Sequence, residues 1–243
     1  EGHVDIYKLL LLNTNDKNPK NYRGCTPLQI AVEKNHLPLC KLILNEVKVA
    51  NPKNNDWITP LHRAAYYGHL EIFELILEKI SDIQPRDKLG WTPLHYAYKN
   101  GHLKVCQMIL NKVKDKNPIT NDGTTLIHIA AQNGHLDLFH LISKSTDNIN
   151  PKDLKGVTPL HDAAEKGHLQ ICQAIIEKLV DKNPKCNEGM TPLHRAAEHG
   201  RVGIYRLIIR QVKVKNPENI IGMTPLDFAD GHKNIERIFR QFS

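Results

Sequence analysis

Two apolar patterns alternate along the chain. In the first, Leu61, Ala64 and Ala65 share one face at helical spacing, which predicts a short helix from Pro60 to about Tyr67, with small residues admitting a close neighbour. In the second, Leu70, Ile72, Phe73, Leu75, Ile76 and Leu77 are apolar over a wide arc, as expected of a helix buried between others. Gly68 separates the two as a residue free to take positive φ. The Gln84-Pro85 pair, Asn-Pro in the equivalent places at 18, 51, 117, 150, 183 and 216, ends the second helix and starts an extended loop.

The pattern repeats. Threonine stands at 26, 59, 92, 125, 158, 191 and 224, a constant step of 33 residues. The word it opens is Thr-Pro-Leu-His at 59, 92, 158 and 191, Thr-Pro-Leu-Gln at 26, Thr-Leu-Ile-His at 125 and Thr-Pro-Leu-Asp at 224. Thr59 suits the N-cap, and Pro60 suits the first helical position, where a missing N–H costs nothing.

The finger turn, the Gly-x-Thr-Pro-Leu-His-x-Ala-Ala run and the Gly-His-Leu step together make the unit similar to the ankyrin repeat, in six full copies and a modified seventh. This resemblance implies an all-α ankyrin-repeat solenoid of stacked antiparallel helix pairs with β-turn finger loops. Residues 1–20 are expected to be a partial repeat carrying only the second helix, with Val4, Ile6, Leu9, Leu10 and Leu11 on its apolar side. Residues 21–243 hold the seven repeats, and the whole is read as one continuous domain. The chain opens inside a repeat, so a preceding segment is expected and the first helix should fray. At the other end, Lys233, Glu236 and Arg240 give the last helix a polar outer face, with Ile235, Ile238 and Phe239 turned inward, as a capping repeat needs.

Departures from the unit carry information. Asn35 replaces the interhelical glycine, and Pro38 falls in a first helical turn; both are tolerable there. Trp57 occupies a finger position held by glycine at 24, 90, 123, 156, 189 and 222, which predicts an altered turn. Leu126 replaces the word's proline, and its helix should persist. In the seventh unit the first helix should lose two residues.

Composition narrows the classes. The chain is 40% hydrophobic and 24% charged with formal charge +7, and no apolar run approaches membrane-spanning length. Cys40, Cys106 and Cys172 recur in alternate repeats, roughly 20 Å apart at the usual helix spacing, so they read as small core residues rather than disulfide partners. Phe73, Phe139 and Tyr205 fill the intervening places. Reduced cysteines favour an intracellular protein, cytoplasmic or nuclear.

Twelve of the fourteen histidines belong to the two repeated words, leaving His140 and His199. The resemblance implies that the word's histidine ties its own turn to neighbouring backbone. No zinc-type spacing, phosphate-binding glycine loop or converging nucleophile and base is present, so no metal, cofactor or catalysis is expected. His161 and Asp162 are adjacent on a helix and point about 100° apart. The seven windows from the end of each long helix into its loop carry +8 together, against +7 for the whole chain. Lysine there complements the helix C-terminus. A nucleic-acid or anionic-surface alternative would use Lys112, Lys114, Lys116, Lys182, Lys185, Lys213 and Lys215.

Aromatic residues are unevenly placed. Both tryptophans and four of the seven tyrosines fall in the second and third repeats. The resemblance implies that partners meet the finger tips and the exposed side of the first helix. Trp57, Arg63, Tyr66, Tyr67, Trp91 and Tyr96 match those positions and are of the types that anchor interfaces. Tyr98 replaces an alanine and reads as core filling. The expected function is a non-catalytic, monomeric protein-interaction module or scaffold, with Tyr22, Arg23, Asp56, Lys88 and Asp122 adding selectivity. A further alternative is an adaptor part of a larger enzyme, channel or ligase.

Overall fold

A computed structural model describes Val4, Asp5, Tyr7, Leu9 and residues 14–242. Those first four residues are helical; the rest of the helix expected over residues 1–12, and most of its predicted fraying, lie outside the described residues. Two compact units appear, residues 1–118 and 119–243. The first contains the helix pairs α1 (Pro27–Glu33) and α2 (Leu37–Glu46), α3 (Pro60–Tyr67) and α4 (Leu70–Leu77), α5 (Pro93–Lys99) and α6 (Leu103–Leu110). The second contains α7 (Leu126–Asn133) and α8 (Leu136–Ser143), α9 (Pro159–Lys166) and α10 (Leu169–Ile176), α11 (Pro192–Glu198) and α12 (Val202–Ile209), then α13 (Lys233–Phe242). Among the described residues the β content is one isolated antiparallel bridge, Ile119 with Thr125.

Each unit is a stack. In the first, α1, α3 and α5 pack in succession, and so do α2, α4 and α6; in the second, α7, α9 and α11 form one row and α8, α10 and α12 the other. The long-helix row is packed by alternating size: Cys40, Phe73 and Cys106 in one unit, Phe139, Cys172 and Tyr205 in the other, each at most 2% exposed. Burial pushes the Cys40 and Cys172 thiols up to about 12, so these sulfurs behave as apolar spheres.

The word closes every short helix in the same way. The Thr59 N–H donates to His62 Nδ1 at 3.1 Å, and the Thr59 hydroxyl accepts from the His62 N–H at 3.4 Å, which is a reciprocal capping box. With Nδ1 accepting, Nε2 carries the proton and donates to the Trp91 carbonyl at 3.2 Å in the next repeat. His95, His128, His161 and His194 cap their own helices alike, and each Nε2 reaches a carbonyl further along the chain. Leu126 does not disturb this, because the Thr125–His128 box survives without the proline.

The turn at Trp57 is not altered. Trp57 adopts φ 64°, beside 72° for Gly24 and 79° for Gly90, and its N–H makes the same turn bond, to the Asn54 carbonyl at 3.0 Å. The surrounding finger holds the backbone fixed, and the side chain takes the strain, of order 1–2 kcal/mol for a residue with a Cβ in the left-handed region. Asn35, at φ 57°, takes the same region in place of glycine, as expected. The seventh unit departs further than expected: residues 225–228 form turns rather than a shortened helix. Asp227 still accepts from the Thr224 N–H at 2.7 Å, so the cap outlives the helix it would start.

Candidate functional site

The helix capped by Thr59 buries Leu61, His62, Ala64 and Ala65 and leaves Tyr66 and Tyr67 of its last turn exposed. Arg63, Tyr66 and Tyr67 on α3 and Tyr96 on α5 line a groove of about 200 Å³ with Ile58 and His62. Tyr66 meets Tyr67 edge-on at 4.9 Å between ring centroids and Tyr96 at 6.1 Å. Tyr96 in turn contacts His62 at 5.5 Å and Trp91 at 5.5 Å. Its hydroxyl donates to Asp87 Oδ2 at 2.7 Å, so the ring is fixed, and burial together with that carboxylate raises the phenol above its ordinary range. Tyr66 and Tyr67 remain 37% and 38% exposed.

Arg63 is committed on its inner side. Its Nη1 donates to Glu33 Oε2 at 2.5 Å and its Nη2 to Cys25 Sγ at 3.7 Å, while Nε is buried without an acceptor. Five of the six expected contact residues are therefore joined, since Trp91 touches the groove through Tyr96. Trp57 is not among the groove's lining residues. Its ring is half exposed and carries the Lys53 ammonium 5.0 Å above it. Tyr98 is buried in the first unit as core, with its hydroxyl unpartnered.

Sequence reasoning missed several groups that hold this surface in place. In four of the six Asn-Pro pairs the asparagine does more than precede a proline: Asn51 Oδ1 accepts from the Leu61 N–H at 3.0 Å, and Asn18, Asn150 and Asn183 do the same for Leu28, Leu160 and Leu193, whereas Asn117 and Asn216 leave that oxygen buried without a partner. A second set shapes the finger. Asn54 accepts from the N–H groups of Asp56 and Ile58, Asp87 from Leu89 and Trp91, Asp153 from Lys155 and Val157. The signal was present as fixed offsets, ten residues before the leucine of the word and five before its threonine.

The equivalent face of the second unit has a different chemistry. Asp162 on α9 is partly buried, and burial first, then Glu165 and Asp153, pushes its carboxyl up to about 7. Arg195, the nearest cation on α11, is instead paired with Glu198 at 3.3 Å. His161 beside it has both ring nitrogens engaged, to Thr158 and to the Met190 carbonyl, and burial lowers it to about 4. Neither nitrogen is left to take a proton from a substrate. Groups able to hold a metal ion are absent among the described residues.

Three of the seven loop lysines are used by the fold. Lys182 Nζ donates to the Ile176 and Leu179 carbonyls at 2.7 and 3.1 Å, and Lys215 to the Ile209 carbonyl at 2.5 Å, each closing the end of a long helix. Lys185 reaches the Glu218 carbonyl at 2.8 Å. No helix among the described residues is long and apolar enough to cross a membrane.

Comparison with curated proteins gave no match. The family model for ankyrin repeats (3 copies) matches residues 1–87, 80–153, 127–219 and 160–239. With the stacked helix pairs and the capped Thr-Pro-Leu-His turns, that match places this chain in the ankyrin-repeat family, whose members generally serve as protein-interaction modules without catalytic activity.

Proposed function

We propose that the chain is a non-catalytic protein-binding module whose contact surface is the finger and short-helix face of the second and third repeats. The observation that carries this is the groove of Tyr66, Tyr67, Tyr96 and Arg63, an aromatic surface built at positions where the repeat itself dictates nothing. Trp57 supports it: a half-exposed tryptophan in the left-handed region costs stability that a glycine would restore, so its retention points to contact rather than folding. Tyr22, Arg23, Asp56 and Lys88, on the successive finger loops, are the selectivity residues of this reading. Asp122 contributes less, because its carboxylate accepts from the Thr124 N–H and the Thr120 hydroxyl of its own loop. This reading takes the partial repeat over 1–20 and the seven repeats over 21–243 as one continuous array.

The test is quantitative affinity for a captured partner. The combined Trp57→Ala, Tyr66→Ala, Trp91→Ala protein should lose at least about ten-fold, the scale expected when interface anchors are truncated. Unchanged affinity in that folded variant would discard the surface. A steep fall of affinity with salt, abolished by charge reversal at Lys112, Lys114 and Lys213, would favour the anionic-surface alternative.

A further inference from the structure

We propose that the α3–α5 groove accepts one uncharged side chain, aliphatic or aromatic, from an extended peptide segment of the partner. This rests on the reading of that face as the contact surface and adds the chemistry of its occupant.

Size comes first. A space of about 200 Å³ lies below the roughly 300–1,000 Å³ of sites for cofactors and drug-sized ligands and suits a single side chain. Its walls are the rings of Tyr66, Tyr67 and Tyr96 with Ile58, which favour apolar contact. Charge then excludes the two obvious alternatives. Arg63 is the groove's only permanent cation, and its guanidinium is already neutralised by Glu33 at 2.5 Å. An incoming carboxylate or phosphate would confront Glu33 as well as Arg63 and gain little. A lysine or arginine drawn to the tyrosine faces finds no carboxylate free to receive it, since Glu33 is held by Arg63. The third guanidinium nitrogen, Nε, is buried and offers no donor to the surface. What remains free at the rim are the Tyr66 and Tyr67 side chains, on rings exposed enough to meet a peptide backbone.

The Glu33–Arg63 pair therefore acts as a specificity device: it turns a basic groove into a neutral one. Glu33 lies in the preceding short helix, α1, so the repeat before the aromatic pair sets the groove's charge.

The experiment selects a random linear-peptide phage library separately on the intact chain and on its Glu33→Gln variant. Binders are then measured by fluorescence anisotropy against the wild type, Tyr66→Ala and Tyr67→Ala. Both tyrosines are surface residues, and retained helicity confirms that these variants fold. Peptides weakened by Tyr66→Ala or Tyr67→Ala should share one aliphatic or aromatic residue whose alanine replacement costs about ten-fold in affinity. On Glu33→Gln, with Arg63 released, the shared residue should shift to Asp or Glu. An Asp or Glu anchor already present on the wild type overturns the proposal, as does a Lys or Arg anchor, or a selection with no groove-dependent peptide. The wider reading is judged apart: it falls only if the binders are also indifferent to Trp57→Ala and Trp91→Ala.

Discussion

The short helices α3 and α5 of the first unit and α9 and α11 of the second begin with the same word, the same capping box and the same buried histidine, yet they present opposite surfaces. One pair shows Arg63, Tyr66, Tyr67 and Tyr96 around an aromatic groove. The other shows Asp162 unpaired beside an arginine that has chosen Glu198. The frame is fixed by residues that face inward or along the backbone. The residue following each histidine is only partly buried, and there Arg63, Tyr96, Asp162 and Arg195 differ while the capping boxes stay the same.

If the frame is equivalent, breaking it should cost the same in both regions. His62→Ala and His161→Ala each remove a cap and a buried hydrogen bond to the next repeat, and each should cost about 3 kcal/mol in denaturant unfolding. A large difference between them would show that the two units do not use the word alike.

The second test separates the faces by pH. His62, His95 and His161 are held near 4 by burial, below their unfolded value, so their stabilisation is present above about pH 6.5 and is lost as pH falls toward 4. Asp162 works in the opposite direction. Its folded pKa is raised, so its favourable contribution is complete below its unfolded value and is lost as pH rises through about 7. Asp162→Asn should therefore gain roughly 1–2 kcal/mol on the wild type between pH 4 and pH 8, discounted for partial solvent access. Equal stability differences at the two pH values would remove Asp162 as a buried acid.

A third test concerns the finger. At position 57 glycine should be more stable than alanine by about 1 kcal/mol, the left-handed penalty for a Cβ, while both variants lose partner affinity. Thermal unfolding of the two proteins measures this directly. The smallest effect expected is in the core: Tyr98→Phe and Tyr205→Phe delete hydroxyls that are buried without partners and should raise stability by about 0.5–1 kcal/mol each.

Much of this is legible in the sequence. The short-helix starts, Gly68 as a stop, the small/large alternation of Cys40, Phe73 and Cys106, and the persistence of the helix at Leu126 all depend on neighbours three or four residues away or on strict periodicity. The turn at Trp57 was misjudged because local preference pointed to a different conformation, and the finger's backbone bonds overrode it. The seventh unit's lost helix was misjudged in the same way, by counting residues where the chain forms only turns. The six proposed contact residues were named from type and position, but their grouping was not: five gather around the groove and Trp57 stands beside Lys53.

What the sequence determined by itself was the repeat, its helix pairs and its family, because a capping box or an amphipathic face is written within a few residues. The tertiary structure alone decided which charges cancel. Arg63 meets a glutamate thirty residues earlier, His62 a carbonyl twenty-nine residues later, and Asp162 misses the arginine that would have paired with it. Such pairings depend on side-chain reach between stacked repeats and on competition for one partner, quantities that periodicity does not encode.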